Sequence, residues 1–587
     1  MRKFFIFLLG VLLSMQMTAA YYVAGNGTAG NPWCDGKSWV VNGSPMEAQG
    51  NGVYSKTFEN VPVGSYQFKV TTGSQWLAAN KFSQSCSNIT CSTPDNIVFQ
   101  LSEAQDITIT YDGSKICVEG SIGEEEPDPS EVGAVGVPAE YEGVMLQAFY
   151  WESQQKTTFS RTKYIDLLPM AEEIGKTFDV VWMPPSGKGG GVGYYTKQYS
   201  NLDSDWGTKE KLLELLGKLH SYGCKVLADV VINHFDSSNG WAKNFYSNNF
   251  GSYGTYQISS KYICSGDECF TDSSSDSRNL EKGGADTGTN DAGCRDLDHS
   301  NTYVQDMCKA YTQWLINTIG FDGFRYDMTL GYSGSYLSMY NQTAQPYFSV
   351  SEYWEGIDKQ VSHLRATNFN TLVFDFPMKY VLCNAIRYSS YSQLVNPSNS
   401  LRNRGYRRYA VSFIDNHDTF ERADAQSQEF LGYNVDLSTA TVKNKILQAN
   451  AYILMLPGVP CVFYPHWKSY QEEINAIIAL RKKAGIHSES DVYESVNNNS
   501  YEVITYGHRG TLILRLGPNR SRQAPDGYYV ALEGGTNGEY TIFAANGTAV
   551  DEVETEPTDK CVKFVRDGRM LIRRGNQVFD MTGRIVE

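Results

Sequence analysis

The sequence predicts an α/β protein: a (β/α)8 TIM barrel with a protruding subdomain after strand 3, flanked by N-terminal and C-terminal β-sandwich domains. Three observations lead there. Between residues 139 and 487, short apolar strand segments alternate with amphipathic helical ones, eight strands in series. On both sides of that span the pattern is strand-only. One long excursion rich in Gly, Ser and Asp, residues 235–300, breaks the alternation after the third strand. A chain of 587 residues also exceeds what one hydrophobic core serves, at roughly 100–200 residues per domain.

Taken in order, residues 1–20 read MRKFFIFLLGVLLSMQMTAA, with Arg2 and Lys3 ahead of a short apolar run and small residues at its end. That is the pattern of a secretory signal peptide. The run falls short of the roughly 20 residues a bilayer span needs, and no later segment supplies one. A secreted or cell-surface location is therefore expected. Residues 21–120 carry alternating stretches such as Tyr66-Gln-Phe68-Lys-Val70 and Ile107-Thr-Ile109-Thr-Tyr111, which predict a small antiparallel sandwich. Residues 121–138 are an acidic, Pro- and Gly-bearing linker with no reason to pack. The eight barrel strands are expected at VMLQAF, DVVWMP, KVLADVVI, GFRYD, YFSVSEYW, LVFDF, YAVSFIDN and PCVFY. A second sandwich follows at 488–545, through YEVITYG, GTLILRLG and YYVALEGG, and a short β-rich tail occupies 546–587.

The net charge of -15 argues against nucleic-acid or anionic-membrane partners, because a phosphate backbone needs a basic face. A 13% aromatic share, with 39 tyrosines, suits stacking on a neutral sugar polymer. Twelve cysteines in an exported chain permit disulfides. Cys86 with Cys91 and Cys264 with Cys269 bracket short polar loops, and Cys34 with Cys117 could tie the ends of the first domain. Cys224, Cys383 and Cys461 sit in apolar runs and read as buried thiols. Neither paired CxxC spacing nor clustered His accompanies the cysteines, so no zinc site is expected.

Barrel active sites lie at the C-terminal ends of the strands. Three acids occupy such places: Asp327 in GFRYD, Glu352 in VSEYW and Asp418 in FIDNHD. Arg325 and Asp327 are two apart and share a face, so the guanidinium should keep the carboxylate ionised. Glu352, beside Tyr353 and Trp354, should sit in an apolar setting that raises its pKa, as a proton donor requires. Taken singly, each acid could equally cap a helix or close an ion pair.

The ordered motifs MLQAFYWES, GVGYYTKQYSNLD, DVVINH, DLDHSN, GFRYD, VSEYW, FIDNHD and LPGVPCVFY carry a resemblance. Over about residues 140–545 the chain resembles the α-amylase family of retaining glycoside hydrolases, particularly the plant-like and related bacterial members. The resemblance implies an endo-acting hydrolase of α-1,4-glucosidic bonds in starch. Asp327 would be nucleophile, Glu352 general acid and then base, and Asp418 the acid that grips the ring hydroxyls. Tyr194 would stack on that sugar, with His234, His417 and Arg325 also in the substrate site. It further implies a structural Ca2+ held by Asn233, Asp296 and the Gly331 carbonyl, with the Gly293 carbonyl and either Asn290 or Asp291 as further donors. The chain departs from the family at Leu330, where a lysine usually contacts sugar on the leaving-group side. A transglycosylase or maltooligosaccharide-forming amylase would keep the same acids, and a glucan-binding protein with a vestigial barrel is the non-enzymatic alternative. A monomer is expected.

Two further likenesses are local. GSYQFKV followed by Trp76 resembles a starch-binding module, with Trp33, Trp39, Trp76, Tyr66 and Phe68 as candidate sugar platform. The C-terminal LIRRGNQVFDMTGRIVE resembles a sorting tail for type IX secretion and equally an ordinary terminal hairpin.

Overall fold

The structure is a computed structural model. It describes residues 21–548, apart from 51, 63, 78–82, 85–89, 93–95, 102–103, 114, 120–134, 290–292, 421–429, 432–434 and 535–538, together with strands Val562–Arg566, Arg569–Arg574 and Gln577–Asp580. The expected leader, most of the linker, Cys86, Asn290 and Asp291 lie outside the described residues. The chain divides into two compact units, Met1–Val132 and Gly133–Glu587.

The first unit is built from two five-stranded sheets. Alternation along Gly64–Thr71 turns Tyr66, Phe68 and Val70 to one side, and all three are buried. Trp33 joins them in the core: its ring centroid lies 4.8 Å from that of Phe58 and 4.9 Å from that of Phe99. The Trp33 indole N–H donates to Asn26 Oδ1 at 3.1 Å, so its one polar atom is satisfied inside. Trp33, Tyr66 and Phe68 are therefore core residues and not a sugar platform. Trp39 and Trp76 stay at the surface, with Trp76 exposed. Cys34 is a buried free thiol packed over Gly25, whereas Cys117 is disulfide-bonded, so the expected Cys34–Cys117 bridge does not form.

The second unit holds a closed barrel of eight parallel strands: β1 Met145–Gln147, β2 Val180–Trp182, β3 Lys225–Val230, β4 Gly323–Tyr326, β5 Phe348–Ser351, β6 Leu372–Phe374, β7 Ala410–Ser412 and β8 Val459–Phe463. These runs are mostly apolar and almost wholly buried, as a helix-wrapped parallel sheet requires. Closure comes from β1 pairing with β8, Met145 opposite Cys461. Gly323 opens β4 because nothing larger fits: a Cβ there would lie 1.9 Å from the Phe348 carbonyl oxygen of β5. Among the described residues no helix is long and apolar enough to cross a membrane.

After β3, strand His234–Phe235 pairs antiparallel with Arg295–Asp296, which returns the excursion to the barrel. Arg295 Nη1 donates to buried Asp267 at 2.8 Å and also pairs with Glu268. Cys264 and Cys269 are both buried free thiols, so the expected local bridge is absent. Cys264 N–H is held by the Asp296 carbonyl, while Cys269 lies in helix Glu268–Thr271 capped by Asp267, and the two go to different partners.

The strands of residues 491–545 form one antiparallel sheet, in the order Asp491–Asn497, Ser500–Gly507, Gly510–Leu516, Tyr540–Ala545, Tyr528–Glu533, and the three strands of 562–580 pair in a separate antiparallel sheet. The second layer of the five-stranded sheet is helical. Tyr501 packs against Tyr452 of helix Ala440–Met455 at 5.6 Å, and Thr505 Oγ1 donates to the Met455 carbonyl at 2.7 Å.

Candidate active site

At the C-terminal end of the barrel, register brings Asp229 of β3 beside Arg325 of β4. Arg325 is fully buried, and its Nη1 donates to Asp229 Oδ1 at 2.8 Å and to Asp327 Oδ1 at 2.6 Å. Its Nη2 lies 2.8 Å from Glu352 Oε1, the acid that follows β5. One guanidinium thus faces three carboxyls, stacked over Trp182 with 4.8 Å from Cζ to the ring centroid. Asp229 is closed off by Trp182 Nε1–H at 3.0 Å and the Tyr194 hydroxyl at 2.8 Å.

Asp327 and Glu352 are nearly buried, at 7% and 8% exposure, yet open enough to meet a ligand. Backbone bonds fix both. Asp327 N–H donates to the Val230 carbonyl at 3.0 Å, and Glu352 N–H to that of Tyr326 at 2.9 Å. Met328 takes a left-handed conformation with φ 41°, and its N–H donates to Glu352 Oε2 at 3.1 Å. Asp418 is more open, with its N–H held by Asn416 Oδ1 at 3.0 Å, and its Oδ2 lies 3.2 Å from His417 Nε2.

Electrostatics raise both acids. Burial raises Glu352 to about 8, with Arg325 opposing and the carboxylates of Asp327 and Asp418 adding. Burial raises Asp327 to about 7, against Arg325 and with Asp229 and Asp418 adding. Tyr353 and Trp354, expected to provide the apolar setting, are engaged elsewhere. Tyr353 stacks on His363 at 4.2 Å and Trp354 on Phe376 at 4.6 Å. The elevation of Glu352 comes first from its burial, and the neighbouring carboxylates of Asp327 and Asp418 add to it.

The aromatic residues form a wall beside the acids. Tyr194 and His417 stack at 4.9 Å with an 8° interplanar angle, and Trp151 lies 6.2 Å from His417 at 14°. His417 Nδ1 is bonded to Gln147 Nε2 at 3.0 Å. His234 turns Nε2 to the Tyr194 carbonyl at 3.0 Å, so it braces the wall from beneath. Sequence reasoning missed Asp229, Trp151, Trp182 and Gln147. For Asp229 a signal existed: it is the one acid inside the apolar run KVLADVVI.

Beside this site, Asn233, Asp296 and Gly331 converge. Asn233 Oδ1 is buried with no hydrogen-bond partner, and its Nδ2 donates to Asp296 Oδ1 at 3.3 Å. Gly331 presses so closely that a Cβ on it would come within 1.7 Å of Asn233 Oδ1. An unpaired amide oxygen and a buried carboxylate beside bare backbone are hard donors that fit Ca2+. Gly293, exposed, precedes the strand that carries Asp296.

Residues 164–472 match the family Alpha amylase, catalytic domain, and residues 36–116 match the Pullulanase X25 domain. The chain is 28% identical over 419 residues to Alpha-amylase 3, chloroplastic, of Arabidopsis thaliana, covering 67% of this chain and 43% of that protein. It is 28% identical over 372 residues to Probable alpha-amylase 2 of the same plant, covering 60% and 82%. A Glucan 1,4-alpha-maltotetraohydrolase of Roseateles saccharophilus is 24% identical over 431 residues, covering 68% and 72%.

Proposed function

The chain belongs to the α-amylase catalytic-domain family of glycoside hydrolases, and from that premise we propose that it hydrolyses internal α-1,4-glucosidic bonds of starch and related glucans with retention of configuration. The observation that carries the proposal is the single guanidinium of Arg325 shared by Asp327 and Glu352. Both carboxyls lie within 2.8 Å of that guanidinium and are close neighbours; retaining enzymes hold theirs about 5–5.5 Å apart. An inverting enzyme keeps them about 6.5–9.5 Å apart to admit a water.

Asp327, ionised, attacks the anomeric carbon, while Glu352 gives its proton to the departing glycosidic oxygen. A covalent glycosyl–Asp327 ester results. Glu352, now a carboxylate, takes a proton from water, which attacks the same carbon and frees Asp327. Asp418 and His417 hold the ring hydroxyls, a contact that tightens as the ring flattens. The Tyr194 and Trp151 faces receive the sugar. At Leu330 an apolar side chain replaces the lysine implied by the resemblance, so the leaving-group sugar is held without that cation. Asn233, Asp296 and the Gly331 carbonyl, with Gly293 and Asp291, would hold Ca2+, which when bound pins the subdomain loop to the barrel.

Exposed Trp76 and half-buried Trp39, with ring centroids 6.3 Å apart, support glucan binding by the N-terminal module. Export through the leader at residues 1–20 is part of the same reading. A second reading, release of maltooligosaccharides of fixed length, is favoured by the similarity to a maltotetraohydrolase. Chromatography of products from soluble starch against a branched and an α-1,6 glucan separates the two. Wild type that binds starch but releases no reducing ends, or Asp327→Asn and Glu352→Gln variants that keep full turnover, would defeat the proposal.

A further inference from the structure

Away from the acids, three segments far apart in sequence meet at one edge of the second unit. They are the chain entering the barrel at Glu140, the segment after helix Gln471–Ala484 at His487, and the turn between strands Ser500–Gly507 and Gly510–Leu516 at His508. Backbone bonds lace them together: Ser488 N–H to the Tyr141 carbonyl at 2.9 Å, His508 N–H to Gly485 at 3.0 Å and Arg509 N–H to Ala484 at 2.9 Å. Glu140 N–H donates to the Glu489 carboxylate at 2.6 Å. The framework is set before any ligand arrives.

On that framework Glu140, His487 and His508 each offer one donor atom, and the donor atoms lie within 4.8 Å of one another. The two imidazoles stack face to face, with ring centroids 4.1 Å apart and an interplanar angle of 23°. His508 turns Nε2 toward Glu140 Oε1 at 3.7 Å, while its Nδ1 meets Glu142 Oε1 at 3.2 Å. Arg509 in turn anchors Glu142, with Nη1 donating to Oε1 at 3.0 Å. A carboxylate behind a histidine fixes the tautomer that presents Nε2 with a lone pair, the arrangement that metal-ligating histidines use. His487 Nδ1 receives Glu489 N–H at a long 3.3 Å, a contact weak enough for a cation to replace.

We propose that Glu140, His487 and His508 form a binding site for a divalent transition-metal ion of the Zn2+ class, which staples the barrel's entering segment to the C-terminal sheet. Two imidazoles and one carboxylate match Zn2+ and not Ca2+, whose ligands are oxygens. Bonds of about 2.0–2.1 Å bring tetrahedral donors to about 3.3 Å of one another. Glu140 and His508 are exposed and close that gap by side-chain rotation. A fourth position is left for water or the nearby Glu489.

The test uses the full chain without a histidine tag, in calcium-containing buffer, titrated calorimetrically with Zn2+ and followed with Co2+ by its visible absorption. One ion per chain is expected, with a rise in the unfolding midpoint. Binding is lost in His508→Ala, a surface change that leaves the core intact, and weakened at least about tenfold in Glu142→Gln, which removes only the supporting carboxylate. A wild type that takes up no Zn2+, or His508→Ala protein that binds it with unchanged affinity and stoichiometry, overturns the proposal.

Discussion

Nη2 of Arg325 lies 2.8 Å from Oε1 of Glu352, the acid expected to donate the proton. The same guanidinium serves Asp229 and Asp327 through Nη1, so it orients the whole acid cluster. A lysine keeps the charge but is a point donor on a flexible stem and cannot span three carboxyls. Arg325→Lys should therefore fold and lose about 10²–10³-fold in kcat, because positioning fails while charge persists. Steady-state kinetics on soluble starch, with circular dichroism as the folding control, checks this. Near-normal kcat would remove Arg325 from the machinery.

The pH profile follows from the same cluster. Turnover needs Asp327 ionised and Glu352 protonated. Activity should fall as pH drops through about 7, where Asp327 takes up a proton. It should fall again as pH rises through about 8, where Glu352 loses one. The two flanks belong to the coupled cluster and not to one residue each. Asp418 raises both acids, so Asp418→Asn should move both flanks to lower pH. Residual activity on an aryl maltooligoside across pH tests the direction; an unmoved profile would refute the coupling.

Stability carries the opposite sign. A carboxyl whose pKa is raised by folding favours the folded state fully below its unfolded value, about 4.3 for Glu. That contribution is lost as pH rises through the folded value of about 8. At neutral and alkaline pH Glu352 therefore weakens the fold that it serves. Glu352→Gln should raise the unfolding midpoint at pH 8–9 by about 2–4 °C, and the advantage should vanish near pH 4. Calorimetry of both proteins at the two pH values decides it.

The barrel was legible because eight apolar runs repeat with helical spacing between them, and the acids were legible because each lies at or just beyond the C-terminal end of a strand. Burial within the first unit was harder to read. Trp33 sits in the short turn Trp33–Gly36, where no alternation marks its side as inward. The link from Arg325 to Glu352 depends on β4 lying beside β5, a fact of topology and not of spacing. The same holds for Glu140, His487 and His508: the sequence shows no clustered His, and the fold brings the three together. The C-terminal strands alternate as a sandwich would, but alternation reports one buried face and not whether a sheet or helices cover it.

Chelation tests the remaining expectation, that Asn233, Asp296 and Gly331 hold Ca2+. Asn233 Oδ1 is buried with no partner, a situation that costs about 1–3 kcal/mol unless a cation fills it. An ion at about 100 times its Kd adds about 2.7 kcal/mol to the folded state. Removing it should therefore lower the unfolding midpoint by several degrees. Asn233→Ala removes the amide donor and should abolish that sensitivity. His508→Ala, distant from this cluster, should retain the calcium response. Differential scanning calorimetry with and without chelator, paired with elemental analysis, reads all three. A wild-type midpoint indifferent to the chelator, with no Ca2+ bound, would leave Asn233 as a polar group pressed against Gly331 for packing alone.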